Sequence, residues 1–106
     1  MAKFMCNATY TAEGARGLAK DGGTKRKEVV SKALAGLGGT LESFYFTLGA
    51  QDAVLILDVP DTVTGVALSL AVNASGAVRI SLTQLLTPAE MDAAAKKTIP
   101  YTPPGA

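Results

Sequence analysis

The chain has 106 residues, 48% of them hydrophobic and 18% charged, with ten basic and nine acidic side chains. That suits one domain with a packed core, and the near-neutral balance leaves no electrostatic footprint for nucleic acid or an anionic membrane. There is no His, and Cys6 is the single Cys, which excludes Ser-His-Asp and Cys-His nucleophile systems, His-held zinc or haem, and an internal disulfide, so no metal and no cofactor is expected.

Phe4 to Thr11 alternates as a strand should, with Phe4, Cys6, Ala8 and Tyr10 on one side. A short helix follows over residues 12–18, capped by Thr11 or a neighbour and weakened by Gly14 and Gly17. Asp21-Gly22-Gly23 reads as the loop that ends it. Thr24 is the expected N-cap of a second helix running to about Leu37. Its apolar stripe is Val29, Val30, Ala33, Leu34 and Leu37, and Lys25, Arg26, Lys27, Glu28 and Lys32 lie on its wet side. Gly38-Gly39 closes that helix.

Thr40 to Leu48 predicts a second strand, with Leu41, Ser43, Tyr45 and Thr47 on one face and Glu42, Phe44, Phe46 and Leu48 on the other. Gly49-Ala50-Gln51-Asp52 makes a hairpin turn into a third strand, Ala53 to Val59, apolar on both faces. Asp61 caps a helix over residues 62–74, whose core stripe is expected to be Val63, Val66, Ala67, Leu70 and Ala71, with Leu68 and Val72 off it. Ala77 to Leu85 is the fourth strand. Thr87 caps a last helix with Pro88 at its first position and Glu90 at its third, and residues 98–106, with three prolines, form an extended tail.

The order βαββαβ plus a C-terminal helix is the α+β, ferredoxin-like pattern: one four-stranded antiparallel sheet with its main helices on one face. The expected organisation is a single domain over residues 1–97 and a Pro-rich tail over 98–106. Strands two and three carry bulky residues on both faces, so the bare face of the sheet is expected to be apolar and to pair with a second copy, giving a dimeric α/β barrel or a larger assembly of dimers. The alternative is that the C-terminal helix folds back over that face. The N-terminal residues lack the continuous apolar run of a signal peptide, and no stretch approaches the roughly 18 apolar residues of a membrane span, so a cytoplasmic location is expected.

Over nearly its whole length the chain resembles the GYD-domain family of small bacterial proteins. The resemblance rests on Ala8-Thr9-Tyr10-Thr11-Ala12-Glu13-Gly14 with Lys20-Asp21-Gly22-Gly23-Thr24, on Leu37-Gly38-Gly39 through Phe44-Tyr45-Phe46, on Ser69-Leu70-Ala71-Val72 through Ser75-Gly76-Ala77-Val78-Arg79, and on Leu86-Thr87-Pro88. At the family's Gly-Tyr-Asp triplet, Gly49 and Asp52 are present and Gln51 stands at the Tyr position. The resemblance implies a dimeric α/β-barrel, ferredoxin-like fold and carries no established activity.

Candidate chemistry is sparse, and each feature has a plain structural reading beside the functional one. Gly22, Gly23 and Thr24 open a helix next to Lys25 and Arg26, which makes an anion site or simply a connection. Asp52 either bonds N–H groups of its own turn or serves as acid or base at a barrel mouth. Tyr10 and Tyr45 are core residues or line a pocket. Arg79, in an apolar strand, needs a carboxylate, water or an anionic ligand, and Glu42 is its candidate partner. Cys6 reads as a small core residue. Tyr101 is the expected anchor of the tail. The leading functional expectation is an oligomeric protein that is structural or binds a small molecule without catalysis. The alternatives are a cofactor-free enzyme using Asp52, Arg79 and a Tyr on a small apolar or aromatic substrate, and a partner-binding module using the tail.

Overall fold

The computed structural model describes residues 1–106. In chain order the elements are β1 (Ala2–Tyr10), α1 (Ala12–Asp21), α2 (Gly23–Gly36), β2 (Thr40–Phe46), β3 (Ala53–Val59), α3 (Thr62–Ala74), β4 (Val78–Leu85) and α4 (Pro88–Ala95). The strands form one antiparallel sheet in the order β2-β3-β1-β4. This is the α+β, ferredoxin-like arrangement that the element order predicts.

Local capping chemistry sets three of the helix starts. Thr11 accepts a hydrogen bond from the Gly14 N–H at 3.3 Å, and Asp61 accepts one from the Thr64 N–H at 2.8 Å. Thr87 and Glu90 form a reciprocal capping box, with Pro88 at the first helical position. The start of α2 differs from expectation. α1 continues to Asp21, and Gly22 alone separates the two helices. Its φ of 83° lets it end α1, donating to the Leu18 carbonyl, and serve as N-cap of α2 without a side-chain bond. Thr24 therefore lies inside the first turn and is not the cap.

The core lies between the sheet and the helices. Phe4, Cys6 and Ala8 of β1, Ala53, Leu55, Leu57 and Val59 of β3, Val78 of β4 and Leu34 of α2 are its buried hydrophobic members. Only 11 of 106 residues are buried, so much of the hydrophobic share stays at the surface.

Two faces fall out differently from the residue pattern. On α3 the half-buried side carries Leu68 and Val72, while Val63, Val66, Ala67, Leu70 and Ala71 are exposed, reversing the expected stripe. Gly65 is the cause. It is buried against the Phe4 ring, where a Cβ would come within 2.9 Å of Cε2, so the helix lies down on its glycine side. On β2 the register slips between Leu41 and Ser43, and this bulge turns Leu41 to the same side as Phe44 and Phe46.

The bare sheet face is also more polar than expected. Across the sheet it carries Lys3, Asn7 and Thr9, Ser43 and Tyr45, Asp58, and Arg79, Ser81 and Thr83, around a narrow centre of Met5, Val54 and Ile56, with Leu85 beside Lys3 at one end. Nor does α4 fold back over it. Every residue from Leu86 to Ala106 is exposed, and α4 buries no residue against the rest of the fold. The segment projects as an arm: the radius of gyration is 17.1 Å and the extents are 58 × 32 × 23 Å, against roughly 13 Å for a compact chain of this length. No helix is long and apolar enough to cross a membrane.

Candidate functional site

The helix-facing side of β1 carries small residues at its centre. Cys6 and Ala8 stand where larger side chains would fill the space, and Ala53 sits opposite Ala8. Above them, α2 contributes Ala33 beside Val30 and Leu34, and α3 contributes Leu68 and Val72. The layers do not close on one another. They leave a cavity of about 140 Å³ whose 15 lining residues include 14 hydrophobic ones. Arg26 is the exception.

Arg26 was expected on the wet side of α2. Instead it lies on the inward stripe Gly23, Arg26, Val30, Leu34, which is the partly or fully buried side of that helix. Its Nε is sealed from solvent and has no hydrogen-bond partner. The chain's ion pairs are those of Lys3, 3.1 Å from both Glu42 and Asp58, and neither involves Arg26. A buried donor left unpaired costs about 1–3 kcal/mol, more when charged, so the Nε of Arg26 has unspent bonding capacity beside an apolar space.

A second hollow of about 310 Å³ lies next to the first, under α1. Tyr10, Arg26, Val29 and Val78 line both, so the two spaces share a wall. The second is mixed in character, with Glu13, Asp21 and Lys25 among its lining residues. α1 is held over it by hydrogen bonds from Thr11 to the Gly76 and Ala77 carbonyls at 2.9 Å and 3.1 Å. The combination is an apolar pouch with a charged antechamber and one arginine between them.

Cys6 lines the apolar pouch, and burial pushes its thiol up to about 11. The thiolate is the nucleophilic form, so this sulfur behaves as packing rather than as a reagent at neutral pH.

The other candidate residues are scattered. Asp52 accepts a hydrogen bond from the Tyr10 N–H at 2.8 Å, and its own N–H donates to the Ala8 carbonyl, so it extends the pairing of β1 with the chain leading into β3. Gln51, at the triplet's Tyr position, is bonded through its side chain to Thr9 at 3.2 Å. Tyr45 is exposed on the bare face. Arg79 is exposed on the edge strand β4, opposite Thr9, and Glu42 is engaged with Lys3 instead. Gly22 is the N-cap of α2, and Gly23 and Thr24 open its first turn, with Gly23 pressed against the Phe46 ring. Only Tyr10 and Arg26 of all these reach the cavity. Sequence reasoning missed Cys6 as a lining residue. The helical spacing 26, 30, 34 is the signal that would have turned Arg26 inward.

Fold and site together make this a ferredoxin-like α+β domain with an apolar cavity between its sheet and its helices. The GYD domain family matches residues 4–95, and the chain belongs to that family. Among curated proteins and solved structures, none matched.

Proposed function

We propose that the protein binds a small apolar molecule in the cavity between sheet and helices, without catalysing a reaction on it, and does so as a homo-oligomer. The observation that carries the binding role is the cavity itself. An apolar void in a close-packed interior forfeits dispersion contacts along its whole lining, and a ligand restores them. Asp52, the carboxylate candidate for acid-base work, does not line the cavity, which favours binding over turnover. The single thiol Cys6 fits a reducing compartment such as the cytoplasm.

The oligomeric part rests on the arm and on α3. Isolated helices shorter than about 12–15 residues are marginal in water, and α4 has 8 residues with none buried. Its neighbours Leu86, Ile99 and Tyr101 are exposed, as are Val63, Val66 and Leu70 along α3. A second copy offers the arm a surface of matching chemistry.

Native mass spectrometry of protein purified from its own host tests the binding role: a retained small molecule is expected, and its absence together with failure to bind any apolar probe rejects the reading. Sedimentation at micromolar concentration tests the assembly. A dimer or larger species is expected for the full chain and a monomer for a chain ending at Leu86; a full chain sedimenting as a monomer rejects it.

A further inference from the structure

The charge and size of the cavity narrow its ligand to a chemical class. We propose that the site takes a monocarboxylate with a single ring-sized apolar body, such as an aromatic acid of the benzoate type. This rests on the binding role proposed above. The apolar body lies against Cys6, Ala8 and Leu34, and the carboxylate meets the Arg26 guanidinium.

Size comes first. An apolar cavity of about 150 Å³ in another protein accepts one benzene molecule, and the space here is about 140 Å³. A six-membered ring fits; a fused ring system or a long acyl chain does not fit within the apolar part alone.

Charge comes second. Arg26 is the only charged residue among the 15 that line the cavity. Its Nε is cut off from water and unpartnered, so this donor is satisfied only by a group that enters the site. Guanidinium presents a planar fork of N–H donors that matches a carboxylate with two parallel hydrogen bonds. The adjoining hollow of about 310 Å³ gives the head group room and a route in from solvent.

The antechamber also says what is refused. Lys25 and Arg26 are offset there by Glu13 and Asp21. Two acids against two bases leave no net positive charge to hold a phosphate or a dicarboxylate, so a single negative charge placed on Arg26 is the form accommodated.

Calorimetric titration of the full-length protein with benzoate, benzyl alcohol and phthalate tests this. Benzoate is expected to bind at least tenfold more tightly than benzyl alcohol, its neutral counterpart, and phthalate more weakly than benzoate. In Arg26→Met the benzoate preference should vanish while benzyl alcohol affinity is kept. The comparison among the three probes needs no variant, so it stands even where Arg26→Met fails to fold. Bound benzoate should also slow alkylation of Cys6. If benzyl alcohol binds as tightly as benzoate, the carboxylate assignment is overturned and the apolar cavity remains a binding site. If neither binds, the ring-sized monocarboxylate is overturned, and the binding role falls with it only if no molecule is retained from the host and no other apolar probe binds.

Discussion

Substituting Ala8→Val tests whether the gap between sheet and helices is real space. Ala8 is buried at the centre of β1, lines the cavity, and has Ala53 and Ile80 as its cross-strand neighbours. Valine adds two carbons. At ~0.8 kcal/mol per buried carbon the gain is about 1.6 kcal/mol. A void of 140 Å³, at about 24 cal/mol per Å³, sets a ceiling of about 3.4 kcal/mol for filling the whole of it. Valine is also well suited to a strand. For a domain of this size 1.6 kcal/mol corresponds to a rise in Tm of about 6–12 °C, read by differential scanning calorimetry. The same variant should lose the calorimetric signal for benzoate, since the added methyls occupy the ring's place. A fall in Tm refutes the reasoning: overpacking costs about 1–3 kcal/mol, and a loss of that size would mean that helices and sheet already touch over Ala8.

Further expectations concern the helices and the titrating groups. Gly14→Ala should destabilise by about 1–3 kcal/mol, because the new Cβ would run into the Ala77 carbonyl that anchors α1; Gly17→Ala, with open space around it, should instead stabilise by up to about 1 kcal/mol through helix propensity. Chemical denaturation of the two variants should give opposite signs. With its thiol pushed up to about 11 by burial, Cys6 in the native protein should resist disulfide reagents at pH 7.5 and react fully in denaturant; rapid native labelling would contradict the burial of Cys6. Hydrogen bonds to Asp58 and then Glu42 raise the Lys3 pKa above 10.5, so its stabilisation is complete below that value and is lost as pH climbs through the folded one. Asp61 is lowered below 3.8 by its bonds to the backbone and side chain of Thr64, so its contribution is present above 3.8 and disappears as pH falls through the folded value. Lys3→Met should flatten the alkaline limb of a Tm–pH profile and Asp61→Asn the acid limb; unchanged limbs would reject the assignments.

What the residues reveal on their own is the chemistry that acts over a few positions. The caps at Thr11, Asp61 and Thr87, and the limits of β3 and α3, follow from neighbours three or four residues away, and each lies where its local pattern says. The facing of α3 does not follow, because both its sides are apolar and the choice is made by Gly65 against Phe4, a residue on another element. The bulge at Leu41/Ser43 is likewise a matter of pairing with β3. For the site, Tyr10 and Arg26 are nameable from the sequence as ligand candidates. Their convergence is not, since Arg26 sits in the basic run Lys25-Arg26-Lys27 that looks solvated until the stripe through Val30 and Leu34 is followed inward. The cavity itself depends on what faces Cys6 and Ala8 across the layer, which no single segment encodes.

The two margins of the sheet bear on how this chain can meet others. An open strand edge is a template for another strand, and proteins guard against that. At one margin β2 is kinked by its bulge. At the other, the Asn73 side chain of α3 donates to the Ile80 carbonyl at 3.2 Å and accepts from the Ile80 N–H at 2.7 Å, taking both backbone groups that a newcomer would need. Sheet extension is thus hindered near the start of each edge strand, by a slip in register in β2 and by a carboxamide acting as a one-residue imitation strand on β4. A strand approaching either margin would meet a local obstacle before it could pair along the full edge.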